Sequence, residues 1–262
     1  MHTNKAGEPI VTTERHGSSA LVTLNRPEAR NAVSGEVTES VTEVLDDLEA
    51  DTSVRVVVLT GAGEVFSAGA DLKLAAEGKI DSIAHPDYGF AGVVQRNFPK
   101  PLIAAVNGPA LAGGFEIVLS CDLVVAGTDS RFGIPEVKRG LIAAAGGVIR
   151  LPRRVPTAVA LELAMTGDPI DAERARVLGL VNRVVEPGGV VDEALSLADR
   201  IAANAPLAVR NSRRIMRESV DLEEDAAWDF QKDLLAEVFS HPDALEGPLA
   251  FAEKRDPAWT SG

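Results

Sequence analysis

Residues 107–136, NGPALAGGFEIVLSCDLVVAGTDSRFGIPE, hold the decisive pattern of this chain, a strand-loop-helix-strand-loop run with two glutamates twenty positions apart. The preceding PLIAAV reads as a strand, and Asn107-Gly108-Pro109 stops it. The Gly/Pro cluster then opens a short apolar helix near Gly114. A glycine there lets a reacting group approach the backbone closely, and the N–H groups at that end point outward at the positive pole of the helix. Glu116 falls in the first helical turn, facing the same cavity. DLVVAG supplies a second strand, and Pro135 biases the chain away from helix just before Glu136. Either acid alone has an ordinary explanation, since a glutamate in a first turn suits the helix dipole and a lone glutamate is mostly exposed. Carried on separate loops, the two acids could nevertheless meet over one substrate.

Outward from this stretch, the chain alternates strand and helix signals. VTTERHGSSALVTLN reads as two strands joined at His16-Gly17-Ser18. Ser34 caps a helix with Val37, Val41, Val44, Leu45 and Leu48 at helical spacing. VRVVVLT, ending at Thr60, is a continuous β-branched run of the kind buried on both faces. Gly69 in FSAGADLKLAAEG permits an exposed turn before an amphipathic helix. The segment from Lys79 to Asn97 is polar and irregular and is expected to be mobile, with Ile83, Tyr88, Phe90 and Val94 setting the size of a pocket. VIRLPRRVPTAVALELAMTG reads as a helix broken by prolines and ended by Gly167, and Asp171 caps the next helix before a strand in NRVV. From Val190 onward the pattern is almost entirely helical.

Composition bounds the function. With 262 residues, 27.5 kDa and 45% hydrophobic residues, the chain suffices for one large domain or two small ones. A formal charge of −13 and a pI near 4.8 argue against nucleic acid as a partner, because phosphate binding needs a dominant basic face. The one cysteine, Cys121, sits in an apolar helix and reads as a small buried hydrophobe. His2, His16, His85 and His241 lack metal-ligand spacing, so no metal site is expected. No apolar run is long enough to span a membrane and no leader pattern precedes the first strand, so no membrane partner and a cytoplasmic protein are expected.

Six blocks in order carry a resemblance: LNRPEARNAV, VVVLTGAGEVFSAGADL, NGPALAGGFEIVLSCD, FGIPEVKRGLIAAAGG, LAMTGDPIDAERARVLGLVNRVV and FAEKRDPAW. Together they cover nearly the whole chain, which resembles the crotonase (enoyl-CoA hydratase/isomerase) superfamily. The resemblance implies an α/β fold, a spiral of ββα units over residues 1–195, followed by a helical region, residues 196–262, that builds trimers or dimers of trimers and completes the site. It also implies that the N–H groups of Ala70 and Gly113 form an oxyanion hole and that Glu116 and Glu136 are the catalytic acids. Implied contacts to coenzyme A are Ala29, Arg30, Ala68, Asp71, Leu72, Lys73, Phe251 and Lys254. Coenzyme A belongs to the substrate, and no separate cofactor is expected. Since it is itself polyanionic, local basic groups must overcome the acidic field of the protein.

The implied activity is hydration of an enoyl-CoA, because two acids straddling one water can deliver oxygen to C3 and a proton to C2. The alternatives are enoyl-CoA isomerase, a carnitinyl- or crotonobetainyl-CoA hydratase, and a non-catalytic acyl-CoA binding protein. Ala143 and Ala144 offer no third acid, which argues against a dienoyl-CoA isomerase. Val137-Lys138-Arg139 departs from the more apolar sequence of housekeeping hydratases, and a polar acyl group is the second reading within that class.

Overall fold

The computed structural model describes residues 2–76 and 80–260. An antiparallel hairpin opens the chain, β1 (Val11–His16) with β2 (Ser19–Leu24), and Gly17 takes the turn at φ +57°. Helix α1 (Gly35–Ala50) follows, its Ser34 cap accepting a hydrogen bond from the Val37 N–H. Its buried face carries Val37, Val41, Leu45 and Leu48, the apolar stripe expected from the spacing. Each such side chain removed from water contributes about 1.5–3 kcal/mol. Strand β3 (Val56–Gly61) is buried at every position, as its β-branched run requires when both faces are covered.

After β3 the chain repeats one plan. Short helix α2 (Leu72–Ala76) and the small hairpin β4 (Ala84–His85) and β5 (Gly89–Phe90) precede β6 (Leu102–Val106). Then come β7 (Ala110–Leu111), α3 (Gly113–Ser120), β8 (Leu123–Gly127) and β9 (Arg131–Gly133). Helices α4 (Gly147–Arg154) and α5 (Thr157–Thr166), strand β10 (Ile170–Asp171), α6 (Ala172–Val177) and β11 (Arg183–Val185) complete the mixed region. The main sheet has the order β1-β2-β3-β6-β8-β11, and every pairing beyond the first hairpin is parallel. A second layer forms from β7, β9 and β10, and the parallel bridges Ser67 to Ala110 and Val33 to Ala70 carry it back to earlier turns. Each turn of the chain thus lays one strand in the main sheet, one strand or bridge in the second layer, and then a helix.

Four further details differ from the sequence expectation. Proline does not interrupt α4, which contains Pro152; the break falls at Pro156, so two helices stand where one broken helix is expected. Glu136 lies in a 3-10 turn, Pro135–Arg139, with proline at its start, where a missing N–H costs nothing. The segment after α2 is not structureless: β4 and β5 pair, and Arg96 ties them down from behind. Its guanidinium lies 4.4 Å from the Tyr88 ring centre and bonds Asp46 (2.7 Å) and Glu49 (2.6 Å) of α1. Lys79 of that segment lies outside the described residues. Lastly, the division expected between residues 195 and 196 falls inside α7 (Val190–Ala202), which lays Val190, Ala194, Ala198 and Ala202 against Leu21, Val56, Val58, Ile103, Ala105 and Val125 of the sheet. The spacing of four puts these small side chains on one stripe, so the sheet's own covering layer runs to Ala202. Helices α8 (Pro206–Glu218), α9 (Glu224–Ser240) and α10 (Asp243–Glu253) follow and leave Met216, Trp228, Phe239, Leu245 and Phe251 exposed.

Candidate active site

One cleft of about 970 Å³ lies where the loops after β3, β7 and β9 converge. Its floor is backbone. Ala112 precedes α3 at φ +51°, ψ −130°, a conformation that costs a non-glycine residue of order 1–3 kcal/mol. Its N–H is anchored to the Gly133 carbonyl at 2.9 Å, and the Leu111 N–H to the Ser67 carbonyl at 3.1 Å. The strained residue turns the chain so that Gly113 begins the helix with an N–H that has no intrahelical acceptor. On the facing loop, the Val33 N–H bonds the Gly69 carbonyl and the Asp71 N–H bonds the Val33 carbonyl, which leaves the Ala70 N–H between them. Among the described residues, neither the Ala70 nor the Gly113 N–H finds a partner. The two loops touch closely: a Cβ on Gly69, itself at φ +86°, would lie 2.6 Å from the Gly113 nitrogen. Only glycine fits there. A Cβ on Gly113 would meet the Phe90 ring at 2.5 Å, so Phe90 roofs the same spot.

The acids flank this floor. Glu116 is 3% exposed, and its Oε1 accepts a 2.8 Å hydrogen bond from the Gly147 N–H. Burial pushes its carboxyl up to about 7, with the Glu136 charge adding to the rise and the Gly147 N–H opposing it. Glu136 is raised as well, chiefly by burial, with the Arg139 charge pulling the other way, and its Oε2 is buried without a hydrogen-bond partner. A buried carboxylate oxygen without a partner is costly, which favours the protonated form of Glu136. By contrast, Cys121 is buried behind α3, its thiol pushed up to about 12, and it has no access to the cleft chemistry.

Most of the residues expected from the sequence gather here. Ala70, Gly113, Glu116 and Glu136 line the cleft together with Arg30, Ala68, Asp71, Leu72 and Lys73. Asp71 is steadied by Arg26 at 3.5 Å. Ala29 does not reach the cleft but sits in the 3-10 turn Pro27–Ala29 just before Arg30. Phe251 and Lys254 also stay outside it within one chain, Phe251 at 88% exposure and Lys254 capping α10 in the left-handed region. Of the four expected wall residues, Ile83, Phe90 and Val94 line the cleft, whereas Tyr88 stacks on His85 and rests on Arg96 behind the wall. Sequence reasoning missed the Gly147 N–H, His85 and Arg139. The Gly146-Gly147 pair was the only signal for the first, the departure at Val137-Lys138-Arg139 was the signal for Arg139, and nothing local marks His85.

This site and fold define a class. Residues 14–262 match the enoyl-CoA hydratase/isomerase family. The chain belongs to that family, and its turns of strand, strand and helix are the crotonase spiral. It is similar to enoyl-CoA hydratase EchA19 of Mycobacterium tuberculosis, 42% identical over 98% of this chain and 98% of that one. It is also similar to carnitinyl-CoA dehydratase of Escherichia coli (strain K12), 42% identical over 94% of this chain and 96% of the relative. Among solved structures, an enoyl-CoA hydratase from Mycobacterium tuberculosis superposes with a TM-score of 0.94 at 48% identity, covering 97% of this chain and 100% of the other.

Proposed function

We propose that this protein is an enoyl-CoA hydratase, which adds water reversibly across the 2,3 double bond of an enoyl-CoA thioester. The observation that carries the reading is the meeting of two raised carboxyls, Glu116 and Glu136, with two unpartnered N–H groups, Ala70 and Gly113, in one cleft. The thioester oxygen sits between the two N–H groups, which hold the negative charge that develops there. Donors of this kind are typically worth two to three powers of ten in rate, about 10²–10³ each. One carboxylate takes a proton from water as its oxygen bonds to C3. The other, kept protonated by burial, delivers a proton to C2 as the enolate collapses. Burial and the Glu136 charge hold Glu116 protonated toward neutrality, so an acid and a base coexist there.

Coenzyme A is part of the substrate, and the chemistry needs no metal or separate cofactor. Arg30 and Lys73 are the basic groups of the cleft that offset the acidic surface for a polyanionic ligand. The reading includes assembly into trimers or dimers of trimers, which would cover the apolar side chains exposed on α8, α9 and α10 and bring Phe251 and Lys254 to a neighbour's site. It includes a cytoplasmic location; no described helix is long and apolar enough to cross a membrane. The test is crotonyl-CoA in oxygen-18 water, followed by loss of the conjugated-thioester absorbance and by product mass. Labelled 3-hydroxyacyl-CoA supports hydration. Double-bond migration without label, or binding without turnover on any enoyl-CoA, overturns it. Sedimentation of the intact protein as one chain overturns the assembly.

A further inference from the structure

The cleft holds a cation that the reaction as derived leaves unused. Glu136 and Arg139 share the 3-10 turn Pro135–Arg139. At three residues per turn, side chains at i and i+3 eclipse one another, so Arg139 stands over Glu136 on the same face. Both line the cleft. Lys138, one position back, is turned to Asp168 and paired with it. Arg139 has no such partner: its guanidinium makes no ion pair or hydrogen bond among the described residues, although its charge is felt at Glu136. Arg139 is exposed to solvent while lining the cleft, and a guanidinium carries five donors and no acceptor, so a bound ligand meets it through acceptor oxygens that replace water.

A second donor reaches the cleft from another segment. His85 Nδ1 accepts from the backbone N–H groups of Asp87 (3.1 Å) and Tyr88 (3.3 Å). That assigns the ring proton to Nε2, and the ring, held 4.7 Å from the stacked Tyr88, offers an N–H donor rather than a second acceptor. Both polar side chains therefore ask for the same thing, an anionic or strongly accepting oxygen.

The geometry points to Arg139 as the residue that selects the acyl group: it favours enoyl thioesters bearing a carboxylate just beyond C3, assisted by the His85 Nε2–H, and disfavours chains bearing a fixed positive charge there. The inference rests on the hydratase reading with Glu136 taken as the carboxylate that activates water at C3, which sets the substituents of C4 near Arg139 on the same face of the turn. Coenzyme A phosphates are anionic too, but Arg30 and Lys73, on other loops of the cleft, are the cations assigned to them.

Three thioesters of one skeleton test it: crotonyl-CoA, glutaconyl-CoA with a carboxylate on C4, and crotonobetainyl-CoA with a trimethylammonium on C4. The parent, Arg139→Gln and Arg139→Lys are compared by kcat/KM on each. The parent should favour the carboxylate over the ammonium ester by tenfold or more, about the worth of one charge-assisted hydrogen bond. Arg139→Gln should shrink that ratio by about tenfold, and Arg139→Lys should restore part of it. An unchanged ratio in Arg139→Gln overturns the assignment. So does an equal fall on all three esters, which would place Arg139 on the coenzyme phosphates or on Glu136 alone. If the parent hydrates none of them, calorimetric binding of glutaryl-CoA against butyryl-CoA decides the selectivity separately from the hydratase reading. Tighter binding of the glutaryl ester that is lost in Arg139→Gln upholds it, and equal dissociation constants refute it.

Discussion

Replacing Glu116 by glutamine should stabilise this protein in mildly alkaline solution while disabling its reaction. The native carboxyl titrates at about 7 instead of its ordinary 4.5, because burial disfavours the charge. In the unfolded chain the same group loses its proton near 4.5. Between those two values the unfolded state therefore binds fewer protons than the native state, and stability falls as pH rises. The penalty begins above 4.5 and is complete a little above 7. At about 1.4 kcal/mol per pH unit of displacement, it amounts to about 3 kcal/mol once Glu116 is fully ionised. Glutamine carries no such penalty, and its amide oxygen can keep the 2.8 Å hydrogen bond from the Gly147 N–H. The stability of Glu116→Gln minus that of the parent should thus grow by roughly 2–3 kcal/mol between about pH 5 and about pH 8.5. Urea unfolding followed by the fluorescence of Trp228 and Trp259 reads this directly, at one protein concentration so that subunit association stays fixed. Parallel pH profiles for mutant and parent would refute the reasoning, because they would mean that Glu116 ionises as easily in the fold as outside it.

Three further outcomes are expected. Glu116→Gln and Glu136→Gln should each lose about 10²–10⁴ in turnover, and the double mutant much less than the product of the two, since both serve one addition of water; a Glu136→Gln enzyme as fast as the parent would end the two-acid mechanism. Gly69→Ala forces a Cβ to within 2.6 Å of the Gly113 nitrogen and should cost about 10²–10³ in kcat by displacing one donor, with the circular dichroism spectrum retained; full activity would mean that these N–H groups do not hold the oxyanion. Lys254→Glu should raise KM for CoA thioesters, weaken its salt dependence and leave kcat less affected, through a neighbouring subunit's cleft; constants equal to the parent's would leave Lys254 in solvent.

What the sequence determined by itself was whatever near neighbours in the chain control. The β-branched run of β3, the Ser34 and Asp171 caps, the turn at Gly17 and the apolar stripe of α1 all follow from contacts within about four residues, and each stands where the pattern places it. The same holds for Glu116 in the first turn of α3, because the Gly/Pro cluster before it leaves the helix no earlier start. Tertiary structure alone decided what meets across loops. The Gly147 N–H reaches Glu116 from 31 residues away, Arg96 grips α1 from 47 and 50 residues away, and Tyr88 turns back onto Arg96 instead of into the cleft. No local signal specifies such pairs, because they are set by how the layers stack. The same stacking carries α7 past residue 195 as part of the sheet's cover and keeps Phe251 and Lys254 out of their own chain's cleft. Position was legible where a cap, a turn or an apolar stripe is set by near neighbours, and it was not legible wherever two distant segments had first to be brought together.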